Sequence, residues 1–113
     1  MAEFDVFLAD CPARTTLSLI GDTWTAVVVV ALGEQAMRFT ELQARIGGVS
    51  KKMLSKTLRR LEGAGLVSHP RRGDTYALTE VGASLLGPIG ALVEWAETHT
   101  DEVLDHTVEL EAQ

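Results

Sequence analysis

The stretch between residues 47 and 66 leaves this chain few folds to choose from. Gly47 and Gly48 open it, Ser50 follows, and Gly63 and Gly65 close it. Between them Leu54, Leu58 and Leu61 recur at i, i+4 and i+7, a single apolar stripe along a helix. Ser50 is a strong N-cap residue. Val49 and Leu54 stand where a hydrophobic staple needs them, just before the cap and four residues into the helix. On a helix turning about 100° per residue, Ser55, Arg59, Lys52 and Lys56 lie about 100° to 200° round from Leu54. One side must be buried, and the other offers three cations and a hydroxyl to the outside.

The charge along the rest of the chain sharpens this. The 113 residues hold ten Lys and Arg against sixteen Asp and Glu, a net charge of −6. Nine of the ten bases fall within 38–72: Arg38, Arg45, Lys51, Lys52, Lys56, Arg59, Arg60, Arg71 and Arg72, with Arg14 outside. Only Glu41 and Glu62 share that window. An acidic chain with one concentrated basic segment points to a polyanionic partner, and nucleic acid is the first candidate. Lys52 and Lys56 form a like-charge i, i+4 pair, which costs an isolated helix roughly a few tenths of a kcal/mol. A face that is merely solvated usually mixes its signs.

Around this helix the pattern is mostly helical, in one domain over residues 1–113. Pro12 suits the first turn of a helix over 12–20, which Gly21-Asp22 breaks. Thr23 can cap a second helix over 24–32. Val27 to Val30 favour a strand by propensity, but a helix buried on all sides can be apolar all round, and helical neighbours favour that reading. A short helix follows over 40–46, with Leu42 and Ile46 facing inward. After the leucine-striped helix, 66–69 and 75–78 read as strands of a hairpin around Arg71-Arg72-Gly73-Asp74. Thr79 starts a last helix over 80–99, expected to bend at Gly87-Pro88, with an acidic tail beyond Asp101 that frays.

Several classes of function find no support. No apolar run reaches the roughly 18 residues of a membrane span. The start, Met1 to Asp5, lacks the positive charge of a signal peptide, so a cytoplasmic protein is expected. One cysteine, Cys11, leaves no internal disulfide. His69, His99 and His106 lack metal-ligand spacing, no nucleophile–base pair or phosphate-binding glycine loop is present, and no cofactor is expected. An enzyme is therefore not expected. Trp24 and Trp95 read as core or interface residues.

The order helix, helix, helix, turn, helix, hairpin, helix is that of a winged helix-turn-helix, mainly α with a small β-hairpin. The helix-turn-helix would span about 39–63 and the wing about 66–78. Lys52, Ser55, Lys56 and Arg59 would enter a major groove of double-stranded DNA, where Arg59 or Lys52 could read guanine and Ser55 a purine or a phosphate. Ser50 and the helix N-terminus suit a phosphate. Arg38, Lys51 and Arg60 lie at the edge of the same surface, and Arg71 and Arg72 at the wing tip.

Gly21-Asp22-Thr23-Trp24-Thr25, Arg38-Phe39-Thr40-Glu41-Leu42, Val49-Ser50-Lys51-Lys52-Met53-Leu54-Ser55, Leu58-Arg59-Arg60-Leu61-Glu62-Gly63-Ala64-Gly65-Leu66-Val67, Tyr76-Ala77-Leu78-Thr79-Glu80-Val81-Gly82 and Glu94-Trp95 together resemble the HxlR-type branch of the MarR-like winged-helix transcription regulators. The likeness runs from Cys11 to about His99. It implies a homodimer on a pseudo-palindromic operator, with dimerisation helices at about 12–20 and 80–100; a repressor is the first reading of its role. It also implies a candidate oxidant or electrophile sensor in Cys11, or another small-molecule effector. The wing, Pro70-Arg71-Arg72-Gly73-Asp74, is shorter than the family's usual hairpin, which puts its reach in question. The competing reading is a winged-helix module that docks an acidic protein and binds no specific DNA.

Overall fold

The computed structural model describes residues 3–70 and 74–112; the expectation for Arg71 and Arg72 falls outside the described residues. The elements are α1 (Pro12–Ile20), α2 (Thr23–Glu34), α3 (Phe39–Arg45), α4 (Lys51–Gly63), β1 (Val67–Ser68), β2 (Ala77–Leu78), α5 (Glu80–Ala83) and α6 (Leu86–Ala112).

The fold is built around α2. It touches α1, α3, α4, β2, α5 and α6, so every side of it meets another element. This is why four consecutive valines are helical here: Val28 and Val29 are wholly buried, and tertiary burial outweighs their preference for a strand. The cap of α2 is Asp22 and not Thr23. The Asp22 carboxylate accepts from the Thr25 backbone N–H at 3.2 Å, and an anion at this position also meets the positive end of the helix dipole.

The core joins Val28 and Leu32 of α2, Leu42 of α3 and the three leucines of α4 in one cluster. Between α3 and α4 the chain turns at Gly48, whose φ of 82° suits glycine. Ser50 then caps α4, its Oγ accepting from the Met53 N–H at 3.0 Å. At the other end Gly63 is still helical and Gly65, at φ 76°, makes the stop. The Leu66 N–H bonds the Leu61 carbonyl at 2.9 Å and the Gly65 N–H bonds that of Glu62 at 3.0 Å. These two bonds are a Schellman motif, and they aim the chain into β1.

The antiparallel hairpin is shorter than expected, with Val67 opposite Leu78 and Ser68 opposite Ala77. On its other edge the Tyr76 backbone exchanges hydrogen bonds with Met37, at 2.7 and 3.0 Å. That bridge ties the wing to the segment just before α3.

The C-terminal part departs most from expectation. There are two helices, broken at Ser84-Leu85, where one helix bent at Gly87-Pro88 was anticipated. Pro88 lies in the first turn of α6, where its missing N–H costs nothing. The helix also runs on to Ala112, well past Asp101. Its residues from 100 onward are exposed along their whole length.

Candidate nucleic-acid interface

The rotation of α4 is fixed by what it buries. Leu54, Leu58 and Leu61 are no more than 1% exposed, and Thr57 joins them at 2%. Lys51, Lys52, Lys56 and Arg59 are consequently exposed, and Ser55 is half-buried at the edge of their face. Arg59 Nη2 donates to Ser55 Oγ at 3.2 Å.

The remaining bases divide. Arg45 is committed elsewhere: its Nε and Nη2 each donate to the Glu34 carboxylate at 2.8 Å. This paired hydrogen bonding holds Glu34 below the usual carboxylate range and raises Arg45 above its own. Arg60 turns toward α1, where it lines an open groove with Arg14, Thr15, Thr16, Ser18, Leu19 and Ala64. Arg38 is exposed at the N-cap of α3, its backbone N–H donating to Glu41 at 2.9 Å. Its side chain lines a hollow shared with Ser68, Pro70, Asp74, Thr75 and Ala77 of the wing. Among the described residues the ion pair is Glu34–Arg45, and the His106 ring lies 4.0 Å from the Glu109 carboxylate. None of Arg38, Lys51, Lys52, Lys56, Arg59 and Arg60 is neutralised by a described acid at pairing distance.

The base of the wing holds a feature that sequence reasoning missed. The His69 ring stacks on Tyr76 with centroids 3.8 Å apart and planes 8° from parallel, and His69 Nε2 lies 2.8 Å from the Asp74 carbonyl oxygen. No local signal announces it, because the hairpin register alone brings the two rings together. Burial pushes the Tyr76 phenol above its ordinary pKa; the Glu62 carboxylate adds to this and the Arg59 guanidinium opposes it.

Cys11 is 7% exposed and is the N-cap of α1. Arg14 donates to the carbonyls of Val6 and Phe7 at 2.7 and 3.1 Å and so pins the N-terminal segment over the start of α1. Large apolar side chains stand exposed on that segment and on α6, among them Phe7, Leu92, Trp95, Val103, Val108 and Leu110. Trp95 stacks on His99 at 4.4 Å, and Trp24 is half-buried against the core.

The model of the HxlR-like helix-turn-helix family matches residues 19–104. YtfH of Escherichia coli, named as an HTH-type transcriptional regulator, is 34% identical over 92% of this chain and 86% of its own length. The solved structure of the transcriptional regulator YtfH from Salmonella typhimurium superposes with a TM-score of 0.80 at 32% identity, covering 93% of this chain and 98% of that one. The reduced form of the transcriptional regulator YodB from Bacillus subtilis gives a TM-score of 0.67 at 29% identity, covering 77% and 91%. YodB has also been solved quinone-bound and diamide-treated.

Proposed function

The chain belongs to the HxlR-like helix-turn-helix family of transcription regulators, and from that premise we propose that it is a homodimeric, sequence-specific DNA-binding repressor of the cytoplasm. One observation carries the reading: α4 presents Lys52, Lys56 and Arg59 on an exposed face with no described acid paired to them. Such a face is disfavoured in the free helix by like-charge repulsion and relieved by phosphates, whose condensed counterions it would displace. Lys51 and Arg38 extend it toward α3 and the wing, with Arg71 and Arg72 proposed at the wing tip. The acidic remainder repels the DNA backbone elsewhere and so orients the docking.

The exposed apolar side chains of the N-terminal segment, α1 and α6 are the proposed dimer surface. A dimer reading a pseudo-palindrome needs its two copies of α4 about 34–36 Å apart, one turn of B-DNA. Cys11 is the proposed input. Its thiol is tucked where α1 begins, under the segment held by Arg14, so covalent modification by an electrophile would displace part of the dimer surface and change that spacing.

The test is an anisotropy titration of DNA from upstream of the chain's own gene against a scrambled duplex of equal composition, at fixed salt. Binding to the first at least about a thousandfold tighter supports a regulator. Equal weak binding to both would favour the protein-docking module instead. Repeating the titration after diamide treatment, with Cys11→Ser as the control, tests the sensor: unchanged affinity of the modified wild type would refute it.

A further inference from the structure

We propose that Ser55 is a positioning residue, holding Arg59 so that the guanidinium reads a guanine edge in the major groove, while Lys52 and Lys56 bind phosphates. The inference rests on the DNA-binding reading above and assigns separate tasks within it.

The observation is the hydrogen bond from Arg59 Nη2 to Ser55 Oγ at 3.2 Å. The two residues are one helical turn apart, so Ser55 lies directly behind Arg59 on the same face. Ser55 is half-buried and Arg59 exposed: the anchor sits against the helix body and the charged group faces out. The guanidinium is thus tethered on one side by Ser55 and open on the other.

The chemistry of the three cations then separates them. A guanidinium carries five N–H donors in a planar fork. With one N–H given to Ser55, a two-donor edge remains, which matches O6 and N7 of guanine as a bidentate pair. Fixing a long side chain beforehand removes part of the ordering cost that binding would otherwise carry. Lys52 and Lys56 make no side-chain hydrogen bond among the described residues. An ammonium on a flexible stem is a point charge without a fork, suited to a phosphate and poor at discriminating bases. Arg60, which lines the groove beside α1, is too far round the helix to share the reading.

The operator is unknown, so the probe is a duplex library randomised over about 30 base pairs, three turns of DNA. Wild type, Ser55→Ala, Arg59→Ala and the double variant are each used to select from it. Alanine is the best helix former, so Ser55→Ala leaves α4 intact. Wild type is expected to enrich one G·C pair in each half-site. Arg59→Ala loses that preference alone, and Ser55→Ala weakens it about three- to tenfold, the loss of one modest hydrogen bond. The double variant matches Arg59→Ala. The salt slope of Ser55→Ala stays that of wild type, because no phosphate contact is lost.

Full guanine preference in Ser55→Ala would overturn the inference, as would a salt slope lowered by about one unit, which makes Ser55 a phosphate ligand. Base preferences left intact by Arg59→Ala would overturn it too. In all three cases the DNA-binding reading survives, since wild type has still selected a site. A wild type that enriches no sequence overturns both.

Discussion

Replacing Gly82 with alanine tests how the wing is locked to the body of the domain. A Cβ built at Gly82 would lie 2.0 Å from the Leu66 carbonyl oxygen and 2.9 Å from its carbon. Both are backbone atoms, so no side chain can swing aside. Carbon against oxygen needs about 3.3 Å, so α5 and the approach to β1 must part by about 1.3 Å. The same Leu66 oxygen accepts from the Thr79 N–H at 3.0 Å, and Thr79 Oγ1 donates to the Gly65 carbonyl at 2.6 Å. The shift takes the first of these beyond hydrogen-bonding range and strains the second. At about 1 kcal/mol for each bond and about 1 kcal/mol for disturbed packing around Leu66, the loss is about 3 kcal/mol. The helix propensity of alanine returns about 1 kcal/mol, leaving about 2 kcal/mol. For a domain of this size that is a fall in Tm of roughly 8 to 10 °C. The assay is thermal unfolding followed by circular dichroism at one protein concentration, since association shifts Tm. Gly63→Ala is the control: nothing lies within 4 Å of its added Cβ, and it should hold or raise Tm. A Gly82→Ala protein melting within about 2 °C of wild type would refute the reasoning.

Three further perturbations probe separate parts of the account. Lys52→Gln and Lys56→Gln should each flatten the log–log salt dependence of DNA binding by about 0.9 if each cation meets one phosphate, with little change in sequence preference; unchanged slopes would remove them from the interface. Val103→Glu, on an exposed stretch of α6, should leave the protomer folded by circular dichroism and shift the sedimentation profile toward monomer, with operator affinity falling at least about tenfold; a protein that stays dimeric would move the dimer surface elsewhere. The Glu34 carboxyl is held below its ordinary pKa by Arg45, so the contribution of the pair is present at neutral pH and lost as pH falls through that lowered value. Glu34→Gln should therefore show a weaker decline of Tm in acid than wild type, and less so in high salt; parallel acid profiles would contradict the pairing.

What was legible in the sequence was what is decided locally. The fourth helix has its cap, staple, stripe and stop within residues 49–66; cap, stripe and stop hold in the structure, and the staple residues Val49 and Leu54 are buried in one cluster. The winged helix-turn-helix order followed from it. Less legible were features decided by distant partners. Arg45 counts equally with Lys52 in a tally of charge, yet Arg45 is claimed by Glu34, eleven residues earlier in the chain. The Tyr76 backbone also bridges Met37, which no hairpin pattern reveals. Just past the break before α6 the Leu86 side chain lies over Gly33, where a Cβ would be 2.4 Å from it, a close approach between residues 53 positions apart. Pro88 suggested a bend because proline within a helix usually makes one, but proline in a first turn does not. The cap of α2 was a choice between adjacent capable residues, and the carboxylate of Asp22 took it.

The central claim is that two copies of α4, carrying Lys52, Lys56 and Arg59, sit in successive major grooves on one side of the DNA. Chemical footprinting of guanine N7, which faces the major groove, on a duplex selected by the wild-type protein addresses it directly. The account predicts two protected clusters centred about 10 base pairs apart, related by two-fold symmetry, both lost in the Lys52→Gln, Lys56→Gln, Arg59→Ala triple variant. A single protected cluster, or protection that survives in that variant, would contradict it.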